Sequence, residues 1–176
     1  MSYLQKILIF GNAAAGKSTL AKKIAAKQGL AHLDLDTLAW LATSPPQRKC
    51  LSDSAIEIDT FTQQHASWVI EGCYSDLLEL LINNNAVDHD NVNKKAFANE
   101  IIYLDITINT CITHAENRPW EAHKYPSKQA QDDNLAMLVD WIKAYDTRTD
   151  TFSKLAHQQL YTRFVGKKKT IKTHEK

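Results

Sequence analysis

The sequence predicts an α/β fold, a three-layer α/β/α sandwich built on a parallel sheet of about five strands. Three observations predict it. Short apolar runs rich in Ile and Leu, at 4–10, 31–35, 68–71 and 101–105, have the composition of strands buried on both faces. Helix-forming stretches separate them, and strands alternating with helices specify parallel crossovers. Acidic residues (Asp34 and Asp36, Glu71, Asp105) stand at the carboxyl ends of three runs, where ligands of such sheets bind.

The first strand is LQKILIF at 4–10, and a glycine-bearing turn follows it. Residues 18–28 are strong helix formers with Leu20, Ile24 and Ala25 on one face, and Gly29 stands where a helix ends. After the strand at 31–35, residues 43–49 form a Pro-rich break. A helix over 51–66 presents Ile56, Ile58, Phe61 and His65 or Ala66, with Asp53 near its start. The strand at 68–71 is closed by Gly72, and a helix over 75–82 has Ser75 as its cap. The Asn-rich stretch 83–99 reads as loop; its Asp88-His89-Asp90 lacks the glycine a calcium loop needs. Asp105 ends the fourth strand and stabilises the next helix. Helices follow at about 109–117, 132–147 and 151–164, and the tail from 167 adds an edge strand. The chain, 1–176, reads as a single domain without internal repeats.

Composition excludes several classes. A formal net charge of +1 lacks the basic excess of a nucleic-acid or membrane-surface binder. No apolar run approaches the ~18 residues of a membrane span. Cys50, Cys73 and Cys111 stand far apart and odd in number, as reduced thiols of a cytoplasmic protein do. The histidines show no metal-ligand spacing, and His157 reads as a structural hydrogen-bonding group. Trp40, Trp68, Trp120 and Trp141 read as core or lid packing.

The chain has only 5 glycines, against about twelve at average usage, so each marks a backbone need. Two of them frame Gly11-Asn12-Ala13-Ala14-Ala15-Gly16-Lys17-Ser18, a full match to GxxxxGK[ST]. A buried strand precedes it and a helix follows, as that motif requires. Backbone N–H groups of such a loop wrap phosphate, and the helix start adds its positive end. Lys17 then reaches the β- and γ-phosphates, Ser18 joins the Mg²⁺ shell, and Thr19 completes the segment in contact with ATP.

In order along the chain, the P-loop, HLDLDTLAW (32–40), WVIEGCY (68–74) and IIYLD (101–105) resemble the small P-loop kinases. The likeness is to the adenylate-kinase-like and shikimate-kinase-like group, most of all its topology-modulation (FlaR-type) branch. It covers about 3–75 and 100–120. The resemblance implies that Asp36 faces a phosphoryl acceptor and that Asp34 and Asp36 form the DxD pair of shikimate-type kinases. Glu71-Gly72 takes the place of the family's Asp-Gly, whose carboxylate holds Mg²⁺ through water, and Gly72 borders the acceptor. Arg48 matches an arginine of the substrate-binding segment, about 37–67. Arg118 matches the last arginine of the helix that opens a lid, about 114–131, and His114 stands where relatives carry another arginine. Blander roles are open for these groups: Asp34 and Asp36 as helix caps, Glu71 as a solvated turn residue.

The expected function is a kinase moving the γ-phosphoryl of ATP to a small-molecule acceptor, as monomer or homodimer. Lys17, Asp36, Arg118 and Arg148 are its candidate catalytic residues, with Ser18, Glu71 and Asp34 as candidate metal residues. The lid, carrying Arg118, His123 and Lys124, is expected to be mobile without nucleotide and to close Arg118 onto the phosphates. A second reading is an ATP-binding switch with slow hydrolysis that acts through partners. A third, a nucleic-acid-dependent ATPase, lacks its basic stripe. With only Arg48, Arg118, Arg148 and Arg163 in the chain, an acceptor less charged than a nucleoside monophosphate fits better.

Overall fold

The computed structural model describes residues 4–43, 45–82, 97–122 and 124–173. The expectations for 83–96, Asp88-His89-Asp90 included, and for His123 lie outside them. In chain order the elements are β1 (Lys6–Gly11), α1 (Lys17–Gln28), β2 (Ala31–Asp34), a 3-10 turn (Leu35–Thr37), β3 (Trp40–Leu41) and β4 (Gln47–Arg48). They continue with α2 (Leu51–Gln64), β5 (Trp68–Gly72), α3 (Ser75–Glu79) and β6 (Glu100–Leu104). Then come α4 (Ile108–Glu116), α5 (Lys128–Asp133), α6 (Leu135–Lys143), a 3-10 turn (Ala144–Asp146), α7 (Lys154–Arg163) and β7 (Lys167–Ile171).

The expected architecture is present. Five strands form a parallel sheet in the order β2-β5-β1-β6-β7. The chain leaves β1 toward one edge and comes back on its other side at β6. β1 therefore stands where the strand order reverses, and the crevice beyond such a strand end is where ligands bind. Alternate β1 residues feed the two cores. Leu8 and Phe10 pack with Ile58 of α2, Leu77 and Leu78 of α3 and Leu160 of α7. Ile7 and Ile9 pack with Ala21 of α1, Cys111 and Ala115 of α4 and Ile142 of α6.

Several local expectations are corrected. The helix expected over 132–147 is three pieces, since Ser127 caps α5 earlier and Asn134, a poor helix former, separates α5 from α6. Ser75 is the first residue of α3 and not its cap; its hydroxyl donates instead to the Thr151 carbonyl at 2.6 Å. The α4 cap is Thr107, which accepts from the Thr110 N–H, while Asp105 faces Lys154 at 3.9 Å. In α2 the buried positions are Ser54, Ile58 and Thr62, four apart, and Ile56 is exposed. The Pro-rich break returns as the β3–β4 hairpin. Among the described residues no helix is long and apolar enough to cross a membrane.

Candidate functional site

The P-loop spans the end of β1 and the start of α1, and its backbone is built for close approach. Gly16, at φ +91°, adopts a left-handed conformation that leads directly into α1. Ala14 is also left-handed, at φ +56°, a conformation costing an L-residue ~1 kcal/mol and concentrated at functional loops. His114 of α4 braces that strained point, its Nδ1 lying 2.9 Å from the Ala14 carbonyl. Gly11 answers a different demand: a Cβ there would lie 2.5 Å from the Leu104 carbonyl of β6.

Asn12 is buried and serves as the loop's anchor. Its amide donates to the Ile142 carbonyl of α6 at 3.1 Å and its Oδ1 accepts from the Ala13 N–H at 2.8 Å. Lys17 Nζ donates to the Asn12 carbonyl at 2.7 Å, folded over the loop it would share with phosphate. Ser18 and Thr19 lie on the first turn of α1.

Two carboxylates stand at neighbouring strand ends, for Asp34 of β2 is in register with Glu71 of β5. Asp34 takes the capping role, accepting from the Asp36 N–H at 2.9 Å. Burial, then the nearby Glu71 and Asp36 charges, push its carboxyl up to about 6. Glu71 is buried, and its Oε1 has no hydrogen-bond partner; His32 Nε2 lies 3.5 Å away without making one. A buried carboxylate oxygen left unsatisfied beside a second carboxylate suits a cation, so Glu71 and Asp34 offer oxygen donors of the kind Mg²⁺ takes. Among the described residues no three His, Cys, Asp or Glu side chains come together as a metal site, so further ligands would have to come from Ser18, phosphate and water.

Asp36 is divided from Asp34 by one residue and faces another way. Its Oδ1 accepts the Tyr74 hydroxyl at 2.6 Å, and its Oδ2 accepts Lys124 Nζ at 3.0 Å. Burial opposes the charge on Asp36, but Lys124, the Tyr74 hydroxyl and Lys17 outweigh it and hold the carboxyl below its ordinary value. Burial likewise opposes the Lys124 charge, and Asp36 more than compensates, raising the ammonium above its ordinary value. Tyr74 in turn accepts Trp40 Nε1 at 2.7 Å.

The segment after α4 joins this chain of contacts. Arg118 pairs with Glu121 at 2.7 Å, and Lys124 lies 3.8 Å from the same carboxylate. Gln131 fixes the turn, donating to the Pro119 carbonyl at 3.1 Å and accepting from the Glu121 N–H at 2.8 Å. Arg118 is thus connected to Asp36 through Glu121 and Lys124.

Arg48 and Arg148 occupy a second set of contacts. Arg48 donates to Asp76 at 3.1 Å and to the Ala39 carbonyl at 3.2 Å. Its guanidinium lies over the rings of Tyr74 (4.8 Å), Phe152 (5.3 Å) and Trp40 (5.7 Å). Arg148 pairs with Asp150 at 2.6 Å and lies 3.6 Å over Trp141, whose ring meets Phe152 at 5.1 Å. Gly72 borders this wall, and a Cβ on it would come within 2.9 Å of Leu35 Cβ.

Tyr74 is a site residue that sequence reasoning missed, and its signal was its place two residues after Gly72. Lys124 was expected in the lid, but its bond to Asp36 was not. His157 is buried, its Nδ1 2.8 Å from the Tyr145 hydroxyl and its Nε2 2.9 Å from the Cys73 carbonyl, at the base of this site.

No family model matches the chain, and no curated protein matches it in sequence. Among solved structures, it is similar to a deoxyadenosine kinase from M. mycoides with bound dATP at 15% identity and TM-score 0.47, covering 96% of this chain and 91% of that one. A sugar kinase from Janibacter sp. HTCC2649 is similar at 11% identity and TM-score 0.49, covering 97% and 86%. A shikimate kinase from Bacteroides thetaiotaomicron is similar at 12% identity and TM-score 0.47, covering 97% and 87%. These likenesses are remote, and no activity of this chain follows from them.

Proposed function

We propose that this chain is a phosphotransferase that moves the γ-phosphoryl group of ATP onto a hydroxyl of a small-molecule acceptor. One observation carries the reading. A P-loop lysine and an ionised carboxylate that feels its charge, Lys17 and Asp36, stand at one end of the sheet. The first suits the donor phosphates and the second a hydroxyl about to lose its proton.

The chain's own groups divide the work as follows. The loop from Gly11 to Gly16 cradles the phosphates, and Lys17 exchanges the Asn12 carbonyl for phosphoryl oxygens. Ser18, Glu71 and Asp34 would hold Mg²⁺, which would supply positive charge to the phosphates when bound. Asp36 orients the acceptor hydroxyl and takes its proton as the new O–P bond forms and the bond to the β–γ bridging oxygen breaks, releasing ADP. Arg118 or Arg148, leaving Glu121 or Asp150, adds charge to the transferring group.

The test is ADP release from ATP and Mg²⁺ across a panel of hydroxyl-bearing metabolites. At least one should stimulate release well above basal hydrolysis. Lys17→Ala should abolish that stimulation and weaken ATP binding about tenfold or more in calorimetry, with the fold intact. Slow hydrolysis that no acceptor stimulates would overturn the reading in favour of a nucleotide switch.

A further inference from the structure

Among the described residues, Ala14 alone is left-handed without being a glycine, and it stands inside the phosphate loop. A side chain persists in that conformation only where its surroundings over-determine it. Two helices outside the loop supply the constraint. From α6, the Ile142 carbonyl accepts the Asn12 amide at 3.1 Å and fixes the start of the loop. From α4, His114 reaches the Ala14 carbonyl itself, Nδ1 to oxygen 2.9 Å. A carbonyl oxygen can only accept, so Nδ1 carries the hydrogen and donates it.

The consequence lies on the other side of that peptide. In a trans peptide the C=O and the following N–H point in opposite directions. Drawing the Ala14 carbonyl outward to α4 therefore turns the Ala15 N–H into the loop. There it donates to the Asn12 carbonyl at 3.3 Å, the same oxygen that accepts Lys17 Nζ at 2.7 Å. A backbone donor and a lysine thus converge on one oxygen. The 3.3 Å bond is long, and a charged phosphate oxygen is the better acceptor for both donors. With the Ala14 peptide flipped, the loop would instead offer a carbonyl to an anion.

We infer that His114 is a positioning residue for nucleotide binding: from outside the loop it holds the Ala14 peptide so that the Ala15 N–H faces the phosphates beside Lys17. Its ring acts through Ala14 and meets no phosphate. The inference rests on the nucleotide-binding half of the phosphotransferase reading and adds to it a residue of α4.

The experiment is calorimetry on the full chain with ADP and Mg²⁺, which reads the loop without an acceptor or turnover. His114→Leu keeps bulk on α4 and removes the donor, and should weaken ADP binding about fivefold or more. His114→Asn, whose amide nitrogen is as far from Cβ along the side chain as Nδ1, should bind ADP within about twofold of the unaltered chain. Urea denaturation of both variants separates positioning from packing. ADP affinity unchanged in His114→Leu, whatever its stability, would overturn the inference and leave nucleotide binding standing. So would an equal loss of affinity in the two variants, or failure of both to fold, since either marks a packing role. Failure of the unaltered chain to bind ADP would overturn the phosphotransferase reading and this inference with it.

Discussion

Lys124 Nζ lies 3.0 Å from Asp36 Oδ2, a bond between residues 88 apart that joins the segment after α4 to the turn after β2. The ammonium stabilises the carboxylate and, on the phosphotransferase reading, occupies the oxygen that an acceptor hydroxyl would use.

Lys124→Met should therefore move the pH profile. Lys124 helps hold the Asp36 carboxyl below its ordinary value, so losing it raises that value, and the acid limb of kcat/KM should shift to higher pH. An unmoved acid limb, with activity simply scaled, would separate Lys124 from Asp36.

Arg118 and Arg148 make opposite demands on their surroundings. Arg118 is bonded within a turn that also carries Lys124, while Arg148 is stacked on Trp141. Arg118→Ala should lower kcat about a hundredfold with ATP affinity changed less than threefold, as for a contact made in the transition state. Arg148→Ala should cost mainly stability, about 1 kcal/mol by chemical denaturation. The reverse pattern would exchange their roles.

Glu71→Gln keeps the shape of a buried side chain and removes its charge. It should weaken Mg²⁺ dependence about tenfold or more, read as the Mg²⁺ concentration for half-maximal ATP binding. Asp34→Asn, at a group that already caps a turn, should have the smaller effect. Equal effects would mean that the two carboxylates hold the ion together.

His157 contributes acid sensitivity to the fold. Burial pushes its imidazole down to about 4 from an ordinary 6.5, so at this group the unfolded chain binds more protons between those values. The His157 contribution is complete above about pH 6.5 and is lost as pH drops toward 4, whereas Asp34, raised to about 6, contributes with the opposite sign over much of the same window. His157→Gln should therefore be less stable at neutral pH, and the gap to the unaltered chain in urea denaturation should close by about 3 kcal/mol between about pH 6.5 and 4. A constant gap would show that His157 does not titrate on unfolding.

Strands and the phosphate loop were legible in the sequence because each is a contiguous pattern, an apolar run or GxxxxGK[ST] with a strand before it and a helix after. The Lys-rich tail was expected as an edge strand, and β7 is one, its residues mostly exposed. Side-chain partnerships were not. Nothing near Arg48 in sequence announces Asp76, and nothing near Asp36 announces Tyr74 or Lys124, because the sheet brings these together across long separations. The β3–β4 hairpin was missed because its strands are two residues each, too short for any periodicity. The break at Asn134 was read through because the flanking residues are good helix formers.

The aromatic residues around the two arginines also have an optical side. Trp40 donates its indole N–H to Tyr74 and lies beside Arg48, and Trp141 lies under the Arg148 guanidinium, so both emit from the surroundings of those arginines. Trp68 sits fully buried on the sheet, away from solvent, and supplies a steady background. With Phe in place of Trp120, intrinsic fluorescence becomes a label-free gauge of any rearrangement of Arg48 or Arg148, read without waiting for a reaction.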